Sequence, residues 1–152
     1  MLQTQMNKIS VTIRVKSKDL MPTYASYEAA GADLRANVEN NIIIQPGKIA
    51  LIPTGIFLEI PSGFEAQVRP RSGLALNNQI SVLNTPGTID ADYRGEIKVI
   101  LVNHGSEAFT ILPKMRIAQL VFAPVVQACF YEEQELASTS RGENGFGSSG
   151  LH

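Results

Sequence analysis

Ile42-Ile43-Ile44-Gln45-Pro46-Gly47-Lys48-Ile49-Ala50-Leu51-Ile52-Pro53-Thr54-Gly55-Ile56-Phe57-Leu58-Glu59-Ile60-Pro61-Ser62-Gly63-Phe64-Glu65-Ala66-Gln67-Val68 is a series of short apolar runs cut by turn residues. Branched side chains dominate the runs, at 42–44, 49–52, 56–60 and 64–68, while Pro46-Gly47, Pro53 and Pro61-Ser62-Gly63 punctuate them. Such runs are too short for helices, and β-branched residues pack well on a pleated surface. They read as consecutive strands joined by tight turns.

Outward from this stretch the pattern continues. Val11-Thr12-Ile13-Arg14-Val15 alternates apolar with polar, the period of a strand with one buried face. Further runs stand at 97–102, 109–112 and 117–122, with turn residues at Asn77-Asn78, Gly105-Ser106, Pro113 and Pro124. Gly31-Ala32-Asp33-Leu34-Arg35 reads as a small-residue strand carrying one acid. The single helical piece expected is Ser72-Gly73-Leu74-Ala75-Leu76, with Ser72 able to cap it. Many short strands at this spacing imply an all-β sandwich, jelly roll or barrel, and no internal repeat is present.

Composition narrows the function classes. The 152 residues are enough for one domain with its own core. Thirteen Lys and Arg against fourteen Asp and Glu leave no field for a nucleic-acid polymer or an anionic membrane, so phosphate contacts must be local. The one cysteine, Cys129, cannot form an internal disulfide, which points to a reducing, cytoplasmic setting. Residues 1–8 have no apolar core of signal-peptide length, and no run reaches the roughly 18 apolar residues of a bilayer span. Charged residues are 18% of the chain against about 25% in an average soluble domain, a hint that another subunit covers some surface.

After Tyr131 the chain turns acidic, then rich in Ser and Gly, so the expected organisation is a core at 1–133 and a flexible arm at 134–152. Arg141-Gly142-Glu143-Asn144-Gly145-Phe146-Gly147-Ser148-Ser149-Gly150 brings together phosphate-binding parts. Glycines let backbone amides turn to an anion, arginine adds a donor fork, and the serines add hydroxyls. Phe146 calls for a partner surface, and the face of a base would serve. Arg69-Pro70-Arg71-Ser72-Gly73 sets an arginine, a hydroxyl and a glycine at a helix start, where unpaired amides attract anions. Each segment also has a plainer reading: a disordered terminus, an ordinary capped turn, a turn-capping Asp33, turn aspartates at Asp90 and Asp92, and packed-edge polar residues at Arg116 and Gln119.

In order and content, Ala30 to Leu34, Arg69 to Leu76, Gly87-Thr88-Ile89-Asp90-Ala91-Asp92-Tyr93-Arg94-Gly95 through Lys98, Arg116 to Gln119, and Arg141 to Gly150 resemble the five motifs of the trimeric deoxyuridine triphosphate diphosphatases (dUTPases). The resemblance implies a single-domain jelly-roll-like β-barrel with a flexible glycine-rich tail. It also implies a homotrimer with sites at subunit boundaries, and Mg²⁺-dependent hydrolysis of dUTP to dUMP and pyrophosphate. By the same resemblance Asp90 is the base that activates water, and Gln119 helps hold it. Arg71, Ser72 and Gly73 grip the phosphates, and Asp33 reaches the water shell of Mg²⁺. Asn84 and the main chain around Gly87, Thr88, Ile89 and Lys98 read uracil, and Tyr93 screens the sugar. The tail closes, with Phe146 on the base and Arg141, Gly147, Ser148 and Ser149 on the phosphate end. Asn144 departs from the family's usual glycine, and Lys114-Met115 replaces a glycine-containing turn. The related deoxycytidine triphosphate deaminases carry an acid where this chain has Ile100, which cannot shuttle protons.

Overall fold

The computed structural model describes residues 7–146. In chain order the elements are β1 (Thr12–Val15), β2 (Thr23–Tyr24), β3 (Ala32–Arg35), β4 (Ile42–Ile44), β5 (Ile49–Glu59), β6 (Phe64–Arg69), α1 (Ser72–Asn78), β7 (Ile80–Val82), β8 (Gly87–Ile89), β9 (Ile97–Asn103), β10 (Phe109–Ile111) and β11 (Arg116–Pro124). One sheet runs β1-β5-β9-β7, the other β2-β3-β11-β6-β8, and β4 pairs β10 in a ribbon. The paired strands are antiparallel. This is the jelly-roll-like all-β architecture that the short runs imply.

Alternation sends one set of side chains from each sheet inward. Ile52, Ile56 and Leu58 of β5 and Val99 and Leu101 of β9 meet Leu34 of β3, Ala66 and Val68 of β6, and Ile117 and Leu120 of β11 in one buried cluster. Ile44 and Ile111 of the ribbon and Leu74 of α1 join it. Burying each large aliphatic chain stabilises the fold by about 1.5–3 kcal/mol relative to exposure. The one buried asparagine, Asn103, satisfies its amide within this scheme: Nδ2 donates to the carbonyls of Ile44 (2.9 Å) and Glu107 (2.7 Å), and Oδ1 accepts from Gly105 N–H (2.9 Å).

Three local expectations need correction. Pro53 does not separate two strands: the runs expected at 49–52 and 56–60 fall on one strand, β5, which ends at Glu59 and whose register with β9 shifts between Pro53 and Ile56. The interruption is absorbed as a bulge. Gly55 takes φ 70°, Thr54 Oγ1 donates to Ile97 O (2.6 Å), and Asn37 N–H donates to Pro53 O (2.8 Å). Ser72 does not cap the helix. It is the first helical residue, and the N-cap is Arg71, with no side-chain cap bond. Arg71's guanidinium is committed elsewhere, as shown below. A second helical piece, a 3₁₀ turn at Lys18–Leu20, forms where none was expected, with Leu20 buried.

The last strand ends at Pro124, and Val125 N–H still bonds Gly63 O (2.9 Å). From there to Asn144 the described chain is exposed.

Candidate active site

Strand register sets three polar side chains in one row: Gln119 of β11 lies opposite Asp33 of β3 on one side and Arg69 of β6 on the other. Just past Arg69 the chain leaves the sheet, and Arg71 turns its guanidinium back over the row. Arg71 Nε lies 3.1 Å from Asp33 Oδ1, and Arg116 lies 3.3 Å from Asp33 Oδ2. Arg71 also donates to Arg116 O at 3.4 Å. The Asp33 side chain is only 13% exposed, so a desolvated carboxylate is held between two cations, the arrangement that makes such burial tolerable. Arg69, Arg71 and Arg116 against Asp33 leave this end of the sheet positive, suited to an anion. The exposed Ser72 and Gly73 open the helix beside it.

Gln119 is fixed from two directions. Its Nε2 donates to Pro70 O at 2.9 Å. Its carboxamide occupies the space beside Gly31, where a Cβ would lie 2.1 Å from Gln119 Oε1. Gly31 stands just before the first residue of β3, and a glycine at such a place allows a close approach. Here it makes room for the glutamine.

The remaining predicted residues sit on the segment joining β7 to β9. β8 is an edge strand, paired to β6 on one side only (Gly87↔Val68, Thr88↔Gln67, Ile89↔Ala66), so its other edge offers free main-chain donors and acceptors. Asn84 lies against Gly87: a Cβ there would stand 3.1 Å from Asn84 Nδ2. The Thr85-Pro86 peptide bond between them is cis. Asp90 follows β8, exposed, in a turn closed by Tyr93 N–H to Asp90 O (3.2 Å). Tyr93 folds back over Gly95 and donates its hydroxyl to Glu96 O at 3.0 Å. Lys98 projects outward from β9.

Within one chain these two groups do not meet. Asp90 is one residue beyond Ile89, which faces Ala66, whereas the Gln119 row is at Arg69. That offset is about 13 Å along the strands, plus two strand spacings of about 4.8 Å each, or roughly 16 Å from Asp90 to Gln119. The tail is also apart. Arg141 Nε bonds Asn144 O (2.9 Å) within a local turn, and Phe146 is fully exposed with φ 50°. Gly147, Ser148 and Ser149 lie outside the described residues.

A family model described as dUTPase matches residues 17–150. The chain belongs to the dUTPase family. Among relatives of this dUTPase, the deoxyuridine 5'-triphosphate nucleotidohydrolase of Chlamydia pneumoniae is 60% identical over 143 residues, covering 93% of the chain and 99% of the relative. That of a Thermoanaerobacter species is 53% identical over 148 residues, covering 94% and 100%. In three dimensions the dUTPase resembles that of Staphylococcus bacteriophage 80alpha with dUPNHPP, with a TM-score of 0.84 at 25% identity, covering 95% of this chain and all of the other (100%).

The donor set of this dUTPase can be tested against a magnesium ion. Among the described residues no three His, Cys, Asp or Glu side chains gather as metal ligands, and the carboxylate of Asp33 faces two arginines. A resident ion in a protein cage does not fit. An ion carried by phosphate oxygens, touching Asp33 through water, does fit, because Mg²⁺ keeps several waters and uses few protein ligands. The sequence places Arg69, Arg116 and Gly31 within the motifs but assigns them no role in the site, and it does not single out Glu96 at the foot of the hairpin. The run of small residues from Ala29 to Ala32 was the one local signal of a close approach.

Proposed function

We infer that this chain hydrolyses dUTP to dUMP and pyrophosphate by attack of water at the α-phosphorus, supplying the precursor of dTMP and limiting uracil in DNA. The observation that carries the reading is the Asp33–Gln119–Arg69 row with Arg71 and Arg116 closed on Asp33. It is a positive, partly desolvated recess with an amide at its centre, on a chain that also carries an exposed carboxylate beside a free strand edge.

Arg71, Ser72 and Gly73 bind the triphosphate, and the guanidinium stabilises charge that moves onto the leaving pyrophosphate. Gln119 orients the water. Asp90 takes its proton as the oxygen bonds to the α-phosphorus and the bond to the β-phosphate oxygen breaks. Bound Mg²⁺ supplies neutralising charge on the phosphate oxygens, with Asp33 as its water-mediated protein contact. The free edge of β8 at Gly87, Thr88 and Ile89, with Asn84 and the Lys98 main chain, pairs with the polar edge of uracil. Tyr93 fills the space a ribose 2′-hydroxyl needs, which selects by exclusion. Arg141, Phe146, Gly147, Ser148 and Ser149, on the arm that begins near 134, close over the nucleotide and exclude water.

The working unit in this reading is a homotrimer whose sites combine the Asp90 hairpin of one copy with the Gln119 row of another. The separation of the two groups within a chain supports it, as do the exposed Ile43, Ile49 and Leu51, at 57–60% exposure, which a partner would cover. The free, exposed Cys129 fits a reducing cytoplasm. Among the described residues no helix is long and apolar enough to cross a membrane.

A pyrophosphate-release assay on dUTP and dCTP tests the function. Release from dUTP alone is expected, and ammonia from dCTP would overturn the reading. Sedimentation tests the assembly, and a fully active monomer would exclude shared sites.

A further inference from the structure

Glu96 stands between the hairpin and the bulge of β5, and its main-chain carbonyl and both carboxylate oxygens are engaged. Its main-chain carbonyl accepts the Tyr93 hydroxyl at 3.0 Å. Its Oε1 accepts the N–H of Gly55 at 2.9 Å, and its Oε2 pairs with Lys16 Nζ at 3.2 Å. The side chain is 15% exposed, although it belongs to the loop leading into β9. The next residue is tied to the same bulge, with Ile97 O accepting the buried Thr54 hydroxyl at 2.6 Å.

The anchor itself is well fixed. Gly55 takes φ 70°, and a Cβ there would lie 2.7 Å from Leu20 Cδ1, so glycine is required on both counts. Gly55 O accepts Lys16 N–H at 2.9 Å. Lys16 thus holds the bulge with its main chain and the glutamate with its side chain. At the other end Tyr93 rests on Gly95, where a Cβ would meet the ring hydroxyl at 2.3 Å. The ring position follows from where the 95–96 backbone lies, and that backbone is set by the Glu96 carboxylate. The bulge is thus more than the repair of a proline in a strand.

We propose that Glu96 is a positioning residue for sugar selection: by clamping the foot of the hairpin to the β5 bulge, it holds the Tyr93 ring where it excludes a ribose 2′-hydroxyl. The proposal rests on the sugar-screening role of Tyr93 given above. Loss of the carboxylate frees the Glu96 carbonyl to shift, the ring follows, and room opens for UTP. A purely structural glutamate would lower stability and the kcat/KM for both nucleotides together. A positioning glutamate lowers the dUTP-to-UTP ratio.

The test measures kcat and KM for dUTP and UTP in the full-length enzyme and in Tyr93→Ala, Tyr93→Phe, Glu96→Ala and Glu96→Gln, with melting curves for each. Tyr93→Ala establishes whether the ring screens the sugar at all. An unchanged ratio there refutes that role, and the proposal with it. If Tyr93→Ala does collapse the ratio, Glu96→Ala is expected to lower it about tenfold, mainly through a smaller KM for UTP, the scale of one lost charge-assisted hydrogen bond. Glu96→Gln keeps an acceptor for Gly55 N–H and is expected to recover the ratio to within about threefold. A Glu96→Ala enzyme that melts normally and keeps the parental ratio within twofold overturns the proposal. Should Glu96→Ala fail to fold, Tyr93→Phe decides: it removes only the hydroxyl held by Glu96, and an unchanged ratio overturns the proposal while a lowered one supports it.

Discussion

Gly31→Ala adds one methyl group just before β3 and is expected to act on catalysis through Gln119. The added Cβ would stand 2.1 Å from Gln119 Oε1, 2.9 Å from its Cδ and 3.1 Å from its Cβ. The carboxamide can swing away, but Gln119 Cβ is fixed to β11, so rotation and a small separation of β3 from β11 are both needed. Rotation breaks the 2.9 Å bond to Pro70 O. A lost hydrogen bond costs about 0.5–1.5 kcal/mol and overpacking about 1–3 kcal/mol, so stability falls by roughly 1.5–4.5 kcal/mol. Displacing the amide that orients the water by about 1 Å is expected to lower kcat on the order of 100-fold, with KM changing less. Stopped-flow pyrophosphate release on dUTP measures this, and a double-mutant cycle isolates the cause. In a Gln119→Ala background the contacts at 2.1 and 2.9 Å are gone and only the 3.1 Å contact with the Cβ of residue 119 remains, so Gly31→Ala should then cost less than in the parent. Parental kcat in Gly31→Ala, or additivity of the two changes within about 0.5 kcal/mol, would refute the reasoning.

Asp90→Asn keeps the shape of the turn and removes the base, so kcat should fall about 100- to 10,000-fold with dUTP affinity preserved by calorimetry; near-parental turnover removes Asp90 from the mechanism. Deleting residues 141–152 should impair turnover while the melting temperature stays put, because the described part of this segment is exposed and bonded only locally; a full-rate truncated enzyme counts against the lid. Mixing inactive Asp90→Asn and Arg71→Ala chains, then reassembling them, should restore activity, since in the proposed assembly an intact hairpin meets an intact phosphate grip across copies; no recovery in verified mixed assemblies places both in one chain. The Lys114 ammonium hydrogen-bonds the exposed Asp19 carboxylate and attracts its charge, holding it below the usual carboxylate range. With the folded value depressed, the pair stabilises the fold above the carboxyl's ordinary value and loses this as pH falls through the depressed one. In Lys114→Met the Asp19 titration followed by NMR should move up toward its ordinary value, and an unmoved curve dismisses the pair.

How much of the fold could be read in advance depended on how local its causes are. β1, β4, β6, β9, β10 and β11 fall on the apolar runs, because each run carries enough branched side chains to declare a buried face. β2 and β8 have two and three residues, too few to show a period, and exist because a neighbouring strand offers a ladder. The division of β5 at Pro53 misjudged a proline that a bulge accommodates. The evidence for that bulge lies far along the chain, in Glu96 and Ile97. Ser72 promised a cap, but it is the first helical residue, and Arg71 holds the N-cap position by its backbone alone while its guanidinium pairs with Asp33.

The proposed site obeys the same logic more strictly. Residue types and order point to Asp33, Arg71, Asp90 and Gln119, but which of them share a place is a question of register, and register is not written in any one segment. Pairing puts Asp33 opposite Gln119 and Arg69, and the same pairing carries Asp90 roughly 16 Å away from Gln119. One water cannot touch both, since each hydrogen bond reaches only about 3 Å. If Asp90 is the base and Arg71 the phosphate grip, as proposed, a second copy is needed to bring them together. The exposed aliphatic face on β4 and β5 offers a surface for that copy to cover. The proposed split has a physical consequence as well: the sugar selection proposed for Tyr93 would rest on the β5 bulge through Glu96, the water alignment proposed for Gln119 would rest on Gly31 and Pro70, and the two supports lie in different ladders. Changes at Gly31 and Glu96 should therefore combine additively, one in kcat and the other in the choice of sugar.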